Sequence, residues 1–113
     1  MDYSMLNNVL LKTFDISADT IENYSLEVNN LPFLRLRDIL MKLGTIYLED
    51  LENQIYVATI KGGFFKMNNA HTAIQLDENH LKISISAKEG LINQHTIEGA
   101  INELKNNIIK YLK

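Results

Sequence analysis

The stretch HLKISISA, residues 80–87, decides how the chain is read. Successive side chains on a strand point to opposite faces, so Leu81, Ile83, Ile85 and Ala87 share one side and His80, Lys82, Ser84 and Ser86 the other. Apolar against polar at a period of two predicts a strand of an antiparallel sheet, oily on a covered face and wet on the other. Backwards from here the same period persists as far as Thr45, broken by Asn, Asp and Gly. Strands are expected over 45–50, 54–61, 64–68, 71–76 and 80–87, joined at LEN, GG, NNA and DEN. That is an antiparallel meander of four or five strands.

A one-sided sheet needs a roof, and the last stretch supplies it. Ile97, Ile101, Leu104 and Ile108, with Tyr111 or Leu112, recur every three or four residues, the spacing of a helix with one apolar stripe. Glu98 and Glu103 precede Lys105, Lys110 and Lys113, an order that complements the helix dipole. Burying such aliphatic side chains contributes about 1.5 to 3 kcal/mol each, so removing this helix should abolish folding.

Towards the N-terminus, Met5, Leu6, Val9, Leu10 and Phe14 mark a first helix over 3–14, with Asp2 or Ser4 as its cap and DISAD as its end. YSLEV alternates Tyr24, Leu26 and Val28 with polar residues and reads as a short strand. A second helix over 32–43 has Asn30 as N-cap, Pro32 near its first turn and Leu36, Ile39, Leu40 and Leu43 on one side. Gly44 then stands where a helix end takes a left-handed backbone. The fold class expected is α+β, a single domain over 1–113. It has two N-terminal helices, a four- to five-stranded antiparallel meander and a long C-terminal helix packed on one sheet face. This order is similar, coarsely, to helix-grip modules and to half-domains of the TATA-binding-protein type, and no motif singles out a family.

Composition narrows the classes of function. With 113 residues, 46% hydrophobic and 22% charged, the chain is of ordinary globular make-up and long enough for one core. No cysteine is present, so disulfides and thiolate metal sites are out, as suits a reducing cytoplasm. The acidic, interrupted start predicts no secretory leader, and no apolar run reaches the roughly 20 residues that span a bilayer. A net charge of -3, with Arg35 and Arg37 unaccompanied by a wider basic field, argues against nucleic acid and anionic membrane as partners. Abundant Lys, Ile and Asn suggest an AT-rich coding genome, that of a low-GC bacterium or phage.

Residues that could carry chemistry each have a plainer reading. Gly62-Gly63 lies between Lys61 and Lys66, but a phosphate loop needs GxxxxGK[ST] leading into a helix, and a two-residue hairpin explains the pair better. His71, His80 and His95 would need to converge with Asp77 or Glu78 to hold a metal or act as a base. His71 and His80 flank one hairpin, yet His80 points to the wet face. Ser84 and Ser86 share that face with His80 and Lys82, which two-residue spacing produces by default. LEDLENQ, with Glu49, Asp50 and Glu52, lacks the calcium-loop pattern and reads as a charged hairpin tip that discourages edge aggregation. No catalytic residue, cofactor or metal is expected.

What stands out is apolar surplus. Tyr47, Tyr56, Phe64, Phe65 and Met67 on the sheet, and Ile109 on the last helix, are types that interfaces favour. The expectation is a small, soluble, cytoplasmic, non-enzymatic binding domain with a protein partner, of adaptor, chaperone, inhibitor or immunity type, possible as a homodimer. The alternative is a helix-grip-like module holding a small molecule in an apolar cavity between the sheet and the C-terminal helix.

Overall fold

The computed structural model describes residues 2–62, 68–88 and 95–112. Along the chain run α1 (Ser4–Thr13), a short 3-10 turn (Ala18–Thr20), β1 (Ile21–Glu27), α2 (Phe33–Leu43), β2 (Gly44–Asp50), β3 (Ile55–Gly62), β4 (Asn68–Asp77), β5 (His80–Ala87) and α3 (Thr96–Leu112). The five strands form one antiparallel sheet in the order β1-β5-β4-β3-β2. Four of them are the expected meander. The fifth is β1, which pairs with β5, so β1 and β2 stand at opposite edges although only α2 separates them in sequence. The fold is α+β, with the C-terminal helix on the sheet.

Two expectations about the meander are corrected. No turn separates the strands expected over 64–68 and 71–76 at NNA; residues 64–67 lie outside the described residues. Asn68, Asn69 and Ala70 open one continuous ten-residue strand. There the Asn69 side-chain oxygen accepts from Lys61 Nζ (2.6 Å), and the Asn68 amide donates to Thr96 Oγ1 (3.1 Å). Local contacts thus hold two turn-prone residues in a ladder. Nor do Gly62 and Gly63 form a two-residue hairpin: Gly62 is the last residue of β3, paired with Asn68, and the connection from 63 to 67 lies outside the described residues. Gly62 is required for a different reason. A Cβ there would lie 2.5 Å from the Thr96 carbonyl oxygen, where β3 meets the first turn of α3.

The sheet is covered on both faces, not one. Leu81, Ile83 and Ile85 are fully buried on the expected side, with Tyr56, Ala58, Ile60 and Ile74, under α2 and α3. Ile101, Leu104 and Ile108 of α3 belong to this core, whereas Tyr111 and Leu112 remain 42% exposed, so the stripe ends one turn before the helix does. On the other side, expected to be wet, α1 packs across β4 and β5. Leu6 and Leu10 form a second core there with Ile55, Val57 and Ala73. Ser84 and Ser86 are buried under that helix. The run Ile55-Tyr56-Val57-Ala58-Thr59-Ile60 is buried throughout, as a central strand between two helical layers must be.

Asp2 accepts from the Ser4 N–H (2.8 Å) at the start of α1, and the Ser4 side chain first, then this backbone bond, hold the Asp2 carboxyl below its ordinary value. Pro32 itself caps α2, and Asn30 takes a left-handed backbone before it (φ 59°). Gly44 is not a left-handed helix end. Its φ of 179° is extended, and it begins β2 directly. Glycine is needed because a Cβ would lie 1.8 Å from the Thr59 carbonyl oxygen of the adjacent strand.

Candidate binding surfaces at the sheet edges

The six candidate interface residues part company. Tyr56 is in the core: its ring stacks on Phe33 of α2 (4.2 Å) and its hydroxyl donates to Glu49 Oε2 (2.6 Å). Burial first, and then that bond to a carboxylate, raise its pKa well above the ordinary tyrosine value. It offers nothing to a partner. Tyr47 is 57% exposed on β2, and Ile109 is 45% exposed on α3. Tyr47 and Tyr56 therefore do not share one side of the sheet, and Tyr47 meets Phe14 edge-on at 5.2 Å on the α1 face. Phe64, Phe65 and Met67 lie outside the described residues.

The polar candidates are likewise dispersed. His71 faces Ser86 across the ladder, whereas His80 faces Asp77 at the hairpin end, six register steps away. At about 3.3 Å per residue, that is near 20 Å along the strand. His71 stacks on Phe14 (4.0 Å) with Nδ1 3.1 Å from Thr59 Oγ1, and burial lowers its pKa. Ser84 is not a solvated hydroxyl. Its Oγ lies within hydrogen-bond distance of the side-chain amides of Asn7 on α1 (2.6 Å) and Asn23 on β1 (2.8 Å), with its one proton given to one of them. Thr20 already donates to the Ser17 carbonyl (2.7 Å), so Ser86 must be the donor in its 2.6 Å bond to Thr20. These hydroxyls tie α1 and the turn before β1 to the sheet. Among the described residues, no group of three or more His, Asp or Glu is placed to hold a metal.

Exposed apolar side chains lie on the helices too, Met5 and Leu11 on α1 and Leu34 and Met41 on α2, but among the described residues unpaired strand backbone is found at the two sheet edges, and these differ. Along β2, Asp50 faces Ile55, Glu49 faces Tyr56 and Leu48 faces Val57. Then the register slips to Ile46 opposite Ala58, a bulge that leaves Tyr47 unpaired. Such a bulge twists an edge away from flat pairing. The outward-facing Glu49 is also occupied: it holds the Tyr56 hydroxyl and lies 3.5 Å from Arg37 Nε. The turn beyond is stitched by Asp50, which accepts from the Asn53 backbone N–H (3.0 Å) and side chain (2.8 Å).

β1 also carries two carboxylates, Glu22 and Glu27, but no bulge interrupts it. All seven residues, Ile21 to Glu27, stay in unbroken register with β5. The direction of its free groups follows from one bond. The Val28 N–H donates to the Asn79 carbonyl (2.8 Å), continuing the register beyond Glu27 opposite His80. Backbone groups alternate in direction along a strand, so Glu22, Tyr24 and Leu26 bond to β5 while Ile21, Asn23, Ser25 and Glu27 point outward. Among the described residues no strand pairs with that side. The same reasoning at the far edge turns Glu49 outward, because Leu76 N–H donates to the Gln54 carbonyl and so Ile55 and Val57 bond towards β2.

Beside this edge runs a groove of about 400 Å³, lined by Ser25, Leu26, Glu27 and Val28 of the strand and Lys105, Ile108, Ile109 and Leu112 of α3. Its floor is apolar and Lys105 stands on its rim, whereas Glu27 borders it by backbone, since strand alternation turns its side chain to the α1 face with Asn23. Nearer the start of the strand, Glu22 lies with His95, Ile97 and Glu98 at the first turn of α3. Tyr24, between the two ends, donates to Glu22 (2.6 Å), and that bond with partial burial pushes its pKa up to about 12.

Sequence reasoning found Ile109 but missed its neighbours. Leu26 and Val28 were visible only as strand residues. Lys105, Ile109 and Leu112, at i, i+4 and i+7, form a second row beside the buried stripe of α3, and that row was the available signal. No family model matches the chain. No curated protein matches it either. The class rests on the fold alone: an α+β domain with helices on both faces of a five-stranded antiparallel sheet.

Proposed function

We propose that this chain is a non-enzymatic protein-binding domain that takes an extended segment of a partner onto the outer side of β1. Strand addition needs a regular edge with unsatisfied N–H and C=O groups for affinity, and pockets beside it for alternate side chains. The single observation that carries the reading is the contrast between the edges. Both strands carry two carboxylates, but β2 is broken by a bulge, while β1 keeps an unbroken register and borders an apolar groove. Lys105 on the rim gives a bound segment a polar contact that helps to fix its direction. The small-molecule reading has less support, because the groove opens to solvent at the edge and the space beneath α3 is filled by Ile101, Leu104 and Ile108.

A photo-crosslinking amino acid placed at Ser25, with one at Leu48 as its counterpart on β2, tests this in cells that express the chain. Protein adducts are expected through position 25 and not through position 48. No adduct at 25, or equal yields at both positions, would remove the reading.

A further inference from the structure

Resting on that reading of the edge, we propose that the strand added to β1 is β1 of a second copy, joined about a two-fold axis so that two five-stranded sheets become one.

The outward backbone groups belong to Ile21, Asn23, Ser25 and Glu27, so in an antiparallel pairing these must face one another. A two-fold axis through Tyr24 meets the requirement. Asn23 then faces Ser25 of the second copy, Ile21 faces Glu27, and Glu22 faces Leu26. No carboxylate opposes a carboxylate. The register that would set Glu22 against Glu27 is barred, because it matches a residue bonded towards β5 with one whose groups point outward. Direction still permits registers centred on Glu22 or on Glu27, but these set like charges directly opposite, which destabilises cross-strand pairs, and they overlap far less of the strand than the register centred on Tyr24.

The helix beside the edge is complementary to itself under the same axis. β1 and α3 run the same way: Glu22 lies by Glu98 at the helix start, and Leu26 and Val28 lie by Lys105 further along. A two-fold axis through Tyr24 reverses one copy against the other. It carries the acidic end, Glu22 and Glu98, onto the Lys105 end of the second molecule, twice over, as an isologous contact requires. The second copy closes the groove from its open side and removes the exposed Ile109 and Leu112 from water. Strand bonds, apolar closure and paired charges thus agree on one arrangement.

Sedimentation of the purified full chain across a concentration series tests it. The expected species is a dimer of twice 13.0 kDa, 26 kDa. Ser25→Pro removes an outward N–H without touching the ladder to β5, and should give a monomer with an unchanged circular dichroism spectrum. Should that variant misfold, surface charges keep the test open. Lys105→Glu and Glu98→Lys should each weaken the dimer about tenfold, and the two combined should recover most of the loss. A wild-type monomer at every concentration, or a dimer indifferent to Ser25→Pro and to the charge reversals, overturns the proposal. Crosslinking separates it from the reading beneath. An adduct at Ser25 to a different protein, with no 26 kDa species (twice 13.0 kDa), defeats the second copy alone. The absence of any adduct there defeats both.

Discussion

The two edges of this sheet are built to opposite specifications. β2 carries a bulge at Tyr47, an outward glutamate already engaged by Tyr56 and Arg37, and a turn pinned by Asp50. β1 carries seven residues in unbroken register with an oily groove alongside. An exposed strand edge is a template for pairing, and proteins blunt the edges that must stay single. An interrupted register at one edge and an unbroken one at the other is the contrast on which the proposed pairing through β1 rests. The difference resides in backbone direction and register more than in composition.

The comparison can be broken most severely by dislodging β2. Gly44→Ala sets a methyl group against the Thr59 carbonyl, where the gap to a Cβ is 1.8 Å, and backbone cannot yield as a side chain does. A loss of about 3 kcal/mol is expected from denaturant titration, with self-association through β1 surviving where the protein remains folded. Next comes Ser84→Ala, which deprives Asn7 and Asn23 of their shared partner beneath α1. About 2 kcal/mol should be lost, and a cost near zero would mean that water replaces the hydroxyl. Tyr56→Phe frees Glu49 at the blunted edge while keeping the stack on Phe33. Thermal or chemical unfolding should register about 1.5 kcal/mol.

A smaller effect follows from His71. Burial depresses its folded-state pKa below the ordinary 6.5, so the unfolded chain binds the proton more readily. The contribution is complete above pH 6.5 and is lost as pH falls through the lower folded value. Stability should therefore decline on mild acidification, and His71→Phe, which keeps a ring against Phe14, should flatten the slope. The smallest effect is a deliberate contrast at the far edge. Leu48→Lys should change stability by less than about 0.5 kcal/mol and leave oligomeric state untouched; a dimer weakened by it would place the contact at β2.

Much of the architecture was written locally. The alternation from Leu81 to Ala87 and the three-and-four spacing from Ile97 to Ile108 each predict an element and the face it buries. The second helical layer was harder to see. Ser84 and Ser86 look like wet residues in a period of two, and become interior only because Asn7, Asn23 and Thr20 arrive from distant parts of the chain to bond them. A cue was nevertheless present: six consecutive largely apolar residues from Ile55 to Ile60 fit a strand covered twice over. The ladder through Asn68 and Asn69 defeated turn propensity with two side-chain bonds, to Thr96 and Lys61. The candidate site was least legible, since which strand is an edge depends on pairing order. Nothing in IENYSLE states that its neighbour is β5 or that its other side is left without one.

The central claim concerns four outward backbone groups, and amide hydrogen exchange reads them individually. On concentrating the protein, Asn23, Ser25 and Glu27 should pass from rapid to slow exchange, while Glu49 on β2 exchanges rapidly at both extremes. Amides of β1 that stay as fast in concentrated solution as in dilute would contradict the account.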